Sequence, residues 1–151
     1  MHPVNIAPAK PNDHEWCACL MASSEPWITL QRDLQACRQV LNRPGTELFL
    51  ARDQSSRQLG FILLAPYGLA GSPYIASIAV SPEAQGHSVG SQLMHFAEQH
   101  FHDRSHLFLL VSSFNSRAQQ FYRCHGCEFI GELKDYIVAG HSELLFHKRL
   151  A

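Results

Sequence analysis

The sequence predicts an α/β protein in which helices pack on a mixed β-sheet. Segments with the alternating pattern of strands and segments with helical spacing follow one another in the order β-α-α-β-β-β-α-β-α-β-β. A composition of 46% hydrophobic and 17% charged residues in a chain of 151 is typical of a folded protein with a substantial core. From this length we expect one domain, spanning residues 1–151.

The first half of the chain is predicted to contain three strands and two helices. Strand patterns cover residues 4–9, 47–52 and 58–66, and helical spacing covers residues 13–23 and 30–42. The second helix ends before the breaker RPG, residues 43–45. The polar segment DQSSR joins the last two strands, and the glycine-rich segment YGLAGSP, residues 67–73, is predicted to be the next turn.

The second half is predicted to contain a βαβ unit, a further helix and two further strands. Strand patterns cover residues 74–80, 106–113, 127–133 and 142–150, and helical spacing covers residues 89–101 and 116–126. One apolar stripe of the helix over 89–101 includes Val89, Leu93, Phe96 and Ala97. The strand over 106–113 is continuously apolar, which is the pattern of a strand buried on both faces. Gly126 is expected at the C′ position of the last helix.

Charge and cysteine content argue against several classes of protein. A net charge of −1 is unlike that of a nucleic-acid-binding protein. The ten histidines lack metal-ligand spacing, and Cys124 and Cys127 lack a second ligand pair, so no metal site is predicted. No apolar run approaches the roughly 18 residues of a membrane span. Five cysteines and a polar start without a signal-peptide pattern predict a cytoplasmic protein with reduced thiols.

The segment QGHSVGS, residues 85–91, lies between the strand over 74–80 and the helix that follows it. Free backbone N–H groups and the positive end of the helix dipole attract an anion at such a helix start. Gly86 and Gly90 allow a sharp turn and a close approach to bulky oxygens. Neither a Walker A motif nor G-x-G-x-x-G is present. The residues alone therefore leave two interpretations open, an anion-binding turn or a plain connecting loop.

Two motifs in the second half of the chain resemble those of the GNAT acyltransferase superfamily, the N-acetyltransferases that use acetyl-CoA. The family's loop reads Gln/Arg-x-x-Gly-x-Gly/Ala, and residues 85–90 match it with Ser88 in place of the middle glycine. The family's second signature, Asn-x-x-Ala-x-x-Phe-Tyr-x-x-x-Gly, is matched by Asn115, Ala118, Phe121, Tyr122 and Gly126. The resemblance is clearest over residues 74–133, and it implies a sheet whose central parallel strands splay apart.

The resemblance implies a binding site for acetyl-CoA as co-substrate, without a metal. The amides of its pantetheine arm would pair with the strand over 74–80 as an added strand does. Its pyrophosphate would lie on the N–H groups of residues 87–91, and Asn115 would bind the pantetheine arm. The implied cofactor-binding residues are Ile78, Ala79, Val80, Gln85, Gly86, His87, Ser88, Val89, Gly90, Ser91, Asn115 and Tyr122.

The implied chemistry is direct attack of a neutral amine on a thioester in a ternary complex. A phenol with a pKa near ~10 is protonated at neutral pH and can donate to the departing sulfur. Tyr122 is the implied general acid, and its neighbour Phe121 is expected to pack in the core. Some relatives carry a glutamate base where this chain has Leu110. The residues leave the base open among Glu25, Asp135, His141 and Glu143, or a water chain that ends on one of them.

The acceptor is expected to be a primary amine of a small molecule or of a peptide or protein. The expected acceptor-site residues are Glu25, Trp27, Tyr74, Ser77 and His141, with Tyr67 and Tyr136 as further aromatic candidates. The alternative function is that of a non-catalytic GNAT domain that binds acyl-CoA as a sensor or partner module. Because GNAT domains often dimerise, a homodimer is a further expectation. No nucleic-acid or membrane partner is expected.

Overall fold

The computed structural model describes residues 3–150, so residues 1, 2 and 151 of the expected domain lie outside the described part. Strands and helices follow one another in the predicted order. The strands are β1 (Asn5–Pro8), β2 (Glu47–Arg52), β3 (Gln58–Leu69), β4 (Ser72–Val80), β5 (His106–Ser112), β6 (Glu128–Leu133) and β7 (Glu143–Arg149). The helices are α1 (Asp13–Ala22), α2 (Leu34–Leu41), α3 (Val89–His100) and α4 (Ser116–Cys124). Within residues 3–150, no helix has the length and apolar character needed to cross a bilayer.

The strands form one mixed sheet in the order β1-β2-β3-β4-β5-β7-β6. Neighbouring strands run antiparallel except β4 and β5, which are parallel because the connection through α3 returns the chain to the same end of the sheet. Strand β7 lies between β5 and β6, although β6 precedes it in the chain. The mixed α/β fold with a central parallel pair is therefore confirmed.

Each face of the sheet carries its own core. On one face α1 and α2 cover alternate residues of β2 and β3, among them Leu50 and Phe61. On the other face the α3 residues Leu93 and Met94 pack on the sheet with Phe146 of β7. Successive side chains of a strand point to opposite faces, so the buried strands β2 and β3 contribute to both cores.

Several boundaries differ from the sequence prediction. Helix α2 begins at Leu34 rather than at residue 30, because the Asp33 carboxylate accepts a hydrogen bond from the Ala36 amide at 2.8 Å and caps the helix there. The predicted turn over 67–73 is shorter, since β3 and β4 form a hairpin whose two turn residues, Ala70 and Gly71, both have positive φ.

The end of α4 and the burial of β5 can also be compared with the sequence prediction. Gly126 has φ +82° and follows the end of α4, which confirms the expected C′ glycine. The amides of Gly126 and Cys127 donate to the carbonyls of Arg123 and Tyr122, the pattern of a Schellman motif. Strand β5 is buried at Leu107, Leu109, Val111 and Ser112, whereas the residues between the first three are only half-buried. The expected burial on both faces is therefore wrong for most of the strand, and Leu110 borders a cavity.

A buried carboxylate joins α1 to the sheet. Asp13, at the start of α1, is fully buried and accepts hydrogen bonds from the Arg52 guanidinium and from the Gln58 side chain at 2.7 Å. The Lys10 amide donates to its second oxygen at 2.8 Å. Burial alone would raise the pKa of Asp13, but these donors outweigh that effect and hold the pKa at about 2. The group therefore stays ionised in the folded protein.

Candidate active site

The sheet opens between its two parallel strands. Strands β4 and β5 pair only at Tyr74 with Phe108 and at Ile75 with Leu109. Beyond these positions β4 continues to Val80, paired with β3 on one edge, and its other edge has no strand partner within residues 3–150. A cavity of about 860 Å³ lies in the gap, a volume typical of small-molecule sites. The free edge of β4 can pair with an extended ligand that carries amides.

The structure brings together almost all of the residues that the sequence assigns to the co-substrate. Eleven of the twelve line this cavity: Ile78, Ala79, Val80, Gln85, Gly86, Ser88, Val89, Gly90, Ser91, Asn115 and Tyr122. The exception is His87, whose amide donates to the Ala84 carbonyl at 3.3 Å and which borders a separate cavity of about 220 Å³. The predicted row of free loop amides, residues 87–91, therefore does not include His87.

The start of α3 presents backbone donors to the cavity. Ser88 precedes the helix with a left-handed backbone, φ 67°, and its side chain makes no capping hydrogen bond. In the described part of the chain, the amides of Val89, Gly90 and Ser91 also have no acceptor. A side chain at Gly90 would place its Cβ about 3.3 Å from the Phe121 ring, so glycine allows α3 and α4 to approach closely here. Free N–H groups at a helix start favour a nearby anion, and this helix start has them.

Helix α4 carries two of the predicted residues on the other side of the cavity. The Asn115 side chain accepts a hydrogen bond from the Ala118 amide at 3.2 Å, which confirms the predicted N-cap. Tyr122 lies in the last turn of α4 and is only 6% exposed. Phe121 is half-buried: it packs against the core, as expected, and it also lines the cavity. The more deeply buried member of the pair is thus Tyr122.

Tyr122 presents a protonated hydroxyl to the cavity. No hydrogen bond of its hydroxyl is found within residues 3–150, and the side chain reaches the cavity. Burial, together with the neighbouring Cys127 and Tyr74, raises the pKa of Tyr122 well above that of an exposed phenol. The hydroxyl therefore stays protonated throughout the neutral range and can donate to a negatively charged atom in the cavity.

Four of the five expected acceptor-site residues line the same cavity. They are Glu25, Trp27, Tyr74 and Ser77. The Glu25 carboxylate is exposed and already accepts hydrogen bonds from the Thr29 amide and hydroxyl at 3.0 and 2.7 Å. Its pKa is lowered by these hydrogen bonds.

The remaining candidates lie away from the cavity. The fifth residue, His141, packs its ring edge against Phe114. Among the aromatic candidates, Tyr67 lies beneath the Arg104 guanidinium, and Tyr136 is 61% exposed. Asp135 accepts a hydrogen bond from the Gly140 amide and does not border the cavity. Of the four proposed bases, this leaves Glu25 and Glu143 on the cavity wall.

The cavity contains residues that sequence reasoning did not assign to it. Arg117, in the first turn of α4, adds an exposed cation to the cavity wall. Its position two residues after Asn115 in the sequence could have indicated this. Ser112 at the end of β5 is buried and donates a hydrogen bond to Glu143 at 2.8 Å. No local pattern marked Ser112, because its partner lies on a strand that is distant in sequence.

Comparison with known proteins is consistent with this geometry. A model of the GNAT acetyltransferase family matches residues 11–127, and the chain belongs to this family. No curated protein matches the sequence.

Solved structures share the fold over nearly the whole chain. A GNAT-family protein from Desulfovibrio desulfuricans superimposes with a TM-score of 0.82 at 17% identity, over 99% of this chain and 100% of its own. Spermidine N-acetyltransferase from Vibrio cholerae, solved with CoA and spermine, gives a TM-score of 0.77 at 15% identity. The superposition covers 97% of this chain and 95% of the acetyltransferase. Aminoglycoside 6′-N-acetyltransferase complexed with coenzyme A gives 0.75 at 15% identity, over 97% of both chains. At such identities these similarities show the fold alone.

Proposed function

We propose that the protein transfers the acetyl group of acetyl-CoA to a primary amine by direct attack in a ternary complex. The observation that carries this proposal is the opening of the parallel strand pair next to the uncapped start of α3, with Tyr122 on the wall of the same cavity. The family match supports acetyl transfer, and solved structures with the same fold include acetyltransferases of polyamines and aminoglycosides.

The residues present fit acetyl-CoA as co-substrate. The free edge of β4 at Ile78, Ala79 and Val80 offers backbone partners to the amides of the pantetheine arm. The uncapped amides at the start of α3 would hold the pyrophosphate, and Arg117 on the wall of the same cavity adds a positive charge. The Asn115 amide nitrogen has no partner within residues 3–150 and remains available to the pantetheine arm.

The chemistry requires little more than positioning and proton transfer. Acetyl-CoA supplies the carbonyl carbon that the amine attacks and the sulfur that leaves. The cavity holds the two reactants side by side, which converts a bimolecular step into an effectively unimolecular one. Tyr122 donates its hydroxyl proton toward the departing sulfur, where negative charge develops.

Titration calorimetry with acetyl-CoA, followed by thiol release against a panel of primary amines and peptides, tests the proposal. We expect binding at one site per chain and thiol release with at least one amine. Absence of acetyl-CoA binding would contradict the proposal outright. Binding without turnover on any amine would instead favour the alternative function, a non-catalytic acyl-CoA sensor.

The left-handed conformation of Ser88 gives a prediction about co-substrate affinity. This conformation costs an ordinary residue about 1–2 kcal/mol relative to glycine, and a β-branched residue is disfavoured further. We expect Ser88→Val to weaken acetyl-CoA binding roughly tenfold, which corresponds to about 1.4 kcal/mol. Ser88→Gly, which keeps the turn, should stay within about threefold of wild type. If calorimetry shows that Ser88→Gly binds as poorly as Ser88→Val, the hydroxyl rather than the backbone holds the phosphate.

A further inference from the structure

We propose that Glu143 is the proton acceptor for the amine, so that the cavity takes a substrate that arrives as a cationic primary ammonium group. The inference rests on the proposed function and deepens it. Glu143 is the first residue of β7, and its side chain lines the same cavity as Tyr122 and Tyr74. It lies beside Ser112 of β5, and the expected acceptor-site residues Tyr74 and Ser77 line the same cavity.

Glu143 is a buried carboxylate that lacks a positively charged partner. It is only 4% exposed, and no Lys or Arg within residues 3–150 forms an ion pair with it. Ser112 donates to its Oε2 atom at 2.8 Å, whereas Oε1 has no donor in the described part of the chain. Burying a carboxylate without a full set of partners is costly, and a cationic ligand in the cavity would offset that cost. The free oxygen is thus available to an ammonium group.

The other acidic and basic candidates do not compete for this role. Glu25 borders the cavity, but both of its oxygens accept hydrogen bonds from Thr29 and the side chain is exposed. Asp135 and His141 do not line the cavity. Among the described residues, Glu143 is the carboxylate that combines burial, access to the cavity and an unused oxygen.

The groups that face Glu143 set how readily it takes a proton. They are Tyr74 from β4, Ser112 from β5 and His141 from the loop before β7, whereas Leu133, the β6 residue paired with Glu143, is apolar. Burial raises the pKa of Glu143, while the Ser112 hydrogen bond and His141 act in the opposite direction without reversing the shift. The same carboxylate contributes, after burial, to raising the pKa of Tyr74 to about 12. A carboxylate with a raised pKa is a better proton acceptor near neutral pH.

The proton transfers balance with these two side chains alone. The ammonium group gives one proton to Glu143, and the freed nitrogen lone pair forms the C–N bond. The C–S bond breaks with its electron pair on sulfur, which takes the Tyr122 proton. The second nitrogen proton passes to the Tyr122 oxygen, and Glu143 releases its own proton to solvent. One proton is released for each acetyl group transferred.

The test compares Glu143→Gln with wild type and with Glu132→Gln in the full chain. Glutamine keeps the shape and the hydrogen bond from Ser112 but takes up no proton. Glu132 is a matched control, because it lies on the neighbouring strand β6 and likewise accepts a serine hydrogen bond, from Ser142, but it is exposed and off the cavity. For an alkyl amine, we expect Glu143→Gln to lower kcat/KM by about 100-fold or more, with acetyl-CoA affinity within about twofold and Glu132→Gln unchanged.

Two further readouts separate proton acceptance from a merely structural role. An alkoxyamine is uncharged at neutral pH, so Glu143→Gln should lower its rate by less than about tenfold. The acid limb of the wild-type kcat profile should also be absent from the residual activity of the variant. Wild-type turnover in Glu143→Gln, or an equal loss for both amines, overturns the assignment to Glu143. If wild type itself releases no thiol with any amine, the proposed function fails and the inference fails with it.

Discussion

Replacing Tyr122 with phenylalanine is expected to lower thiol release by about 100-fold or more, the usual contribution of a positioned proton donor. The substitution removes only the hydroxyl, which has no hydrogen-bond partner within residues 3–150, so the packing of α4 should be retained. Acetyl-CoA affinity should change little, because the proposed contacts to β4 and to the start of α3 remain. The loss should therefore appear in kcat rather than in binding.

Tyr67→Phe is the matched control for this experiment. Tyr67 is 74% exposed and lies beneath Arg104, outside the cavity, so its variant should turn over at the wild-type rate. Because burial raises the pKa of Tyr122, wild-type activity should show no loss from its ionisation below about pH 10. Steady-state thiol release across pH measures both effects. A Tyr122→Phe enzyme that retains wild-type kcat would assign the residue to packing.

The largest effect on stability is expected from Asp13. Removing one member of a buried ion pair leaves the other charge without its partner, which typically costs about 3–5 kcal/mol. Asp13→Asn preserves the side-chain shape but abolishes the charge that Arg52 and Gln58 contact. Urea unfolding followed by circular dichroism should therefore show a clear loss in the free energy of unfolding.

The Asp13 carboxylate should also make the free energy of unfolding depend on pH, and the lowered pKa gives the direction of the change. The pKa of Asp13 is lowered to about 2 in the folded protein, so its contribution to stability is present above the unfolded value of about 3.9. That contribution should be lost as the pH falls from about 4 to about 2, and Asp13→Asn should reduce the acid sensitivity in this range. Glu15→Gln is the control, because its ion pair with Arg38 is exposed and its unfolding curve should stay close to wild type. Equal stability of the Asp13 and Glu15 variants would contradict the prediction.

Much of the fold could be predicted from the sequence because its signals are local. The order of strands and helices follows from hydrophobic periodicity, and the end of α4 follows from Gly126, which takes the left-handed backbone that glycine tolerates. The start of α2 was predicted too early, since leucine at residue 30 continues the apolar spacing while the capping hydrogen bond of Asp33 begins the helix. The turn between β3 and β4 was predicted too long, because strand pairing extends into a segment rich in turn residues.

In the candidate site, too, the sequence predicts the residues of contiguous motifs but not the contacts between distant segments. The loop at residues 85–91 and the segment from Asn115 to Tyr122 are contiguous motifs, so their resemblance to those of a family could predict residues that the structure places around one cavity. The choice among the four possible bases required the tertiary structure, because it depends on burial and on which side chains line the cavity. Glu143 meets Ser112, 31 residues earlier, only because β7 pairs with β5 rather than following β6 at the edge of the sheet. Burial and the lack of a counter-charge arise from that long-range pairing, and no local periodicity encodes them.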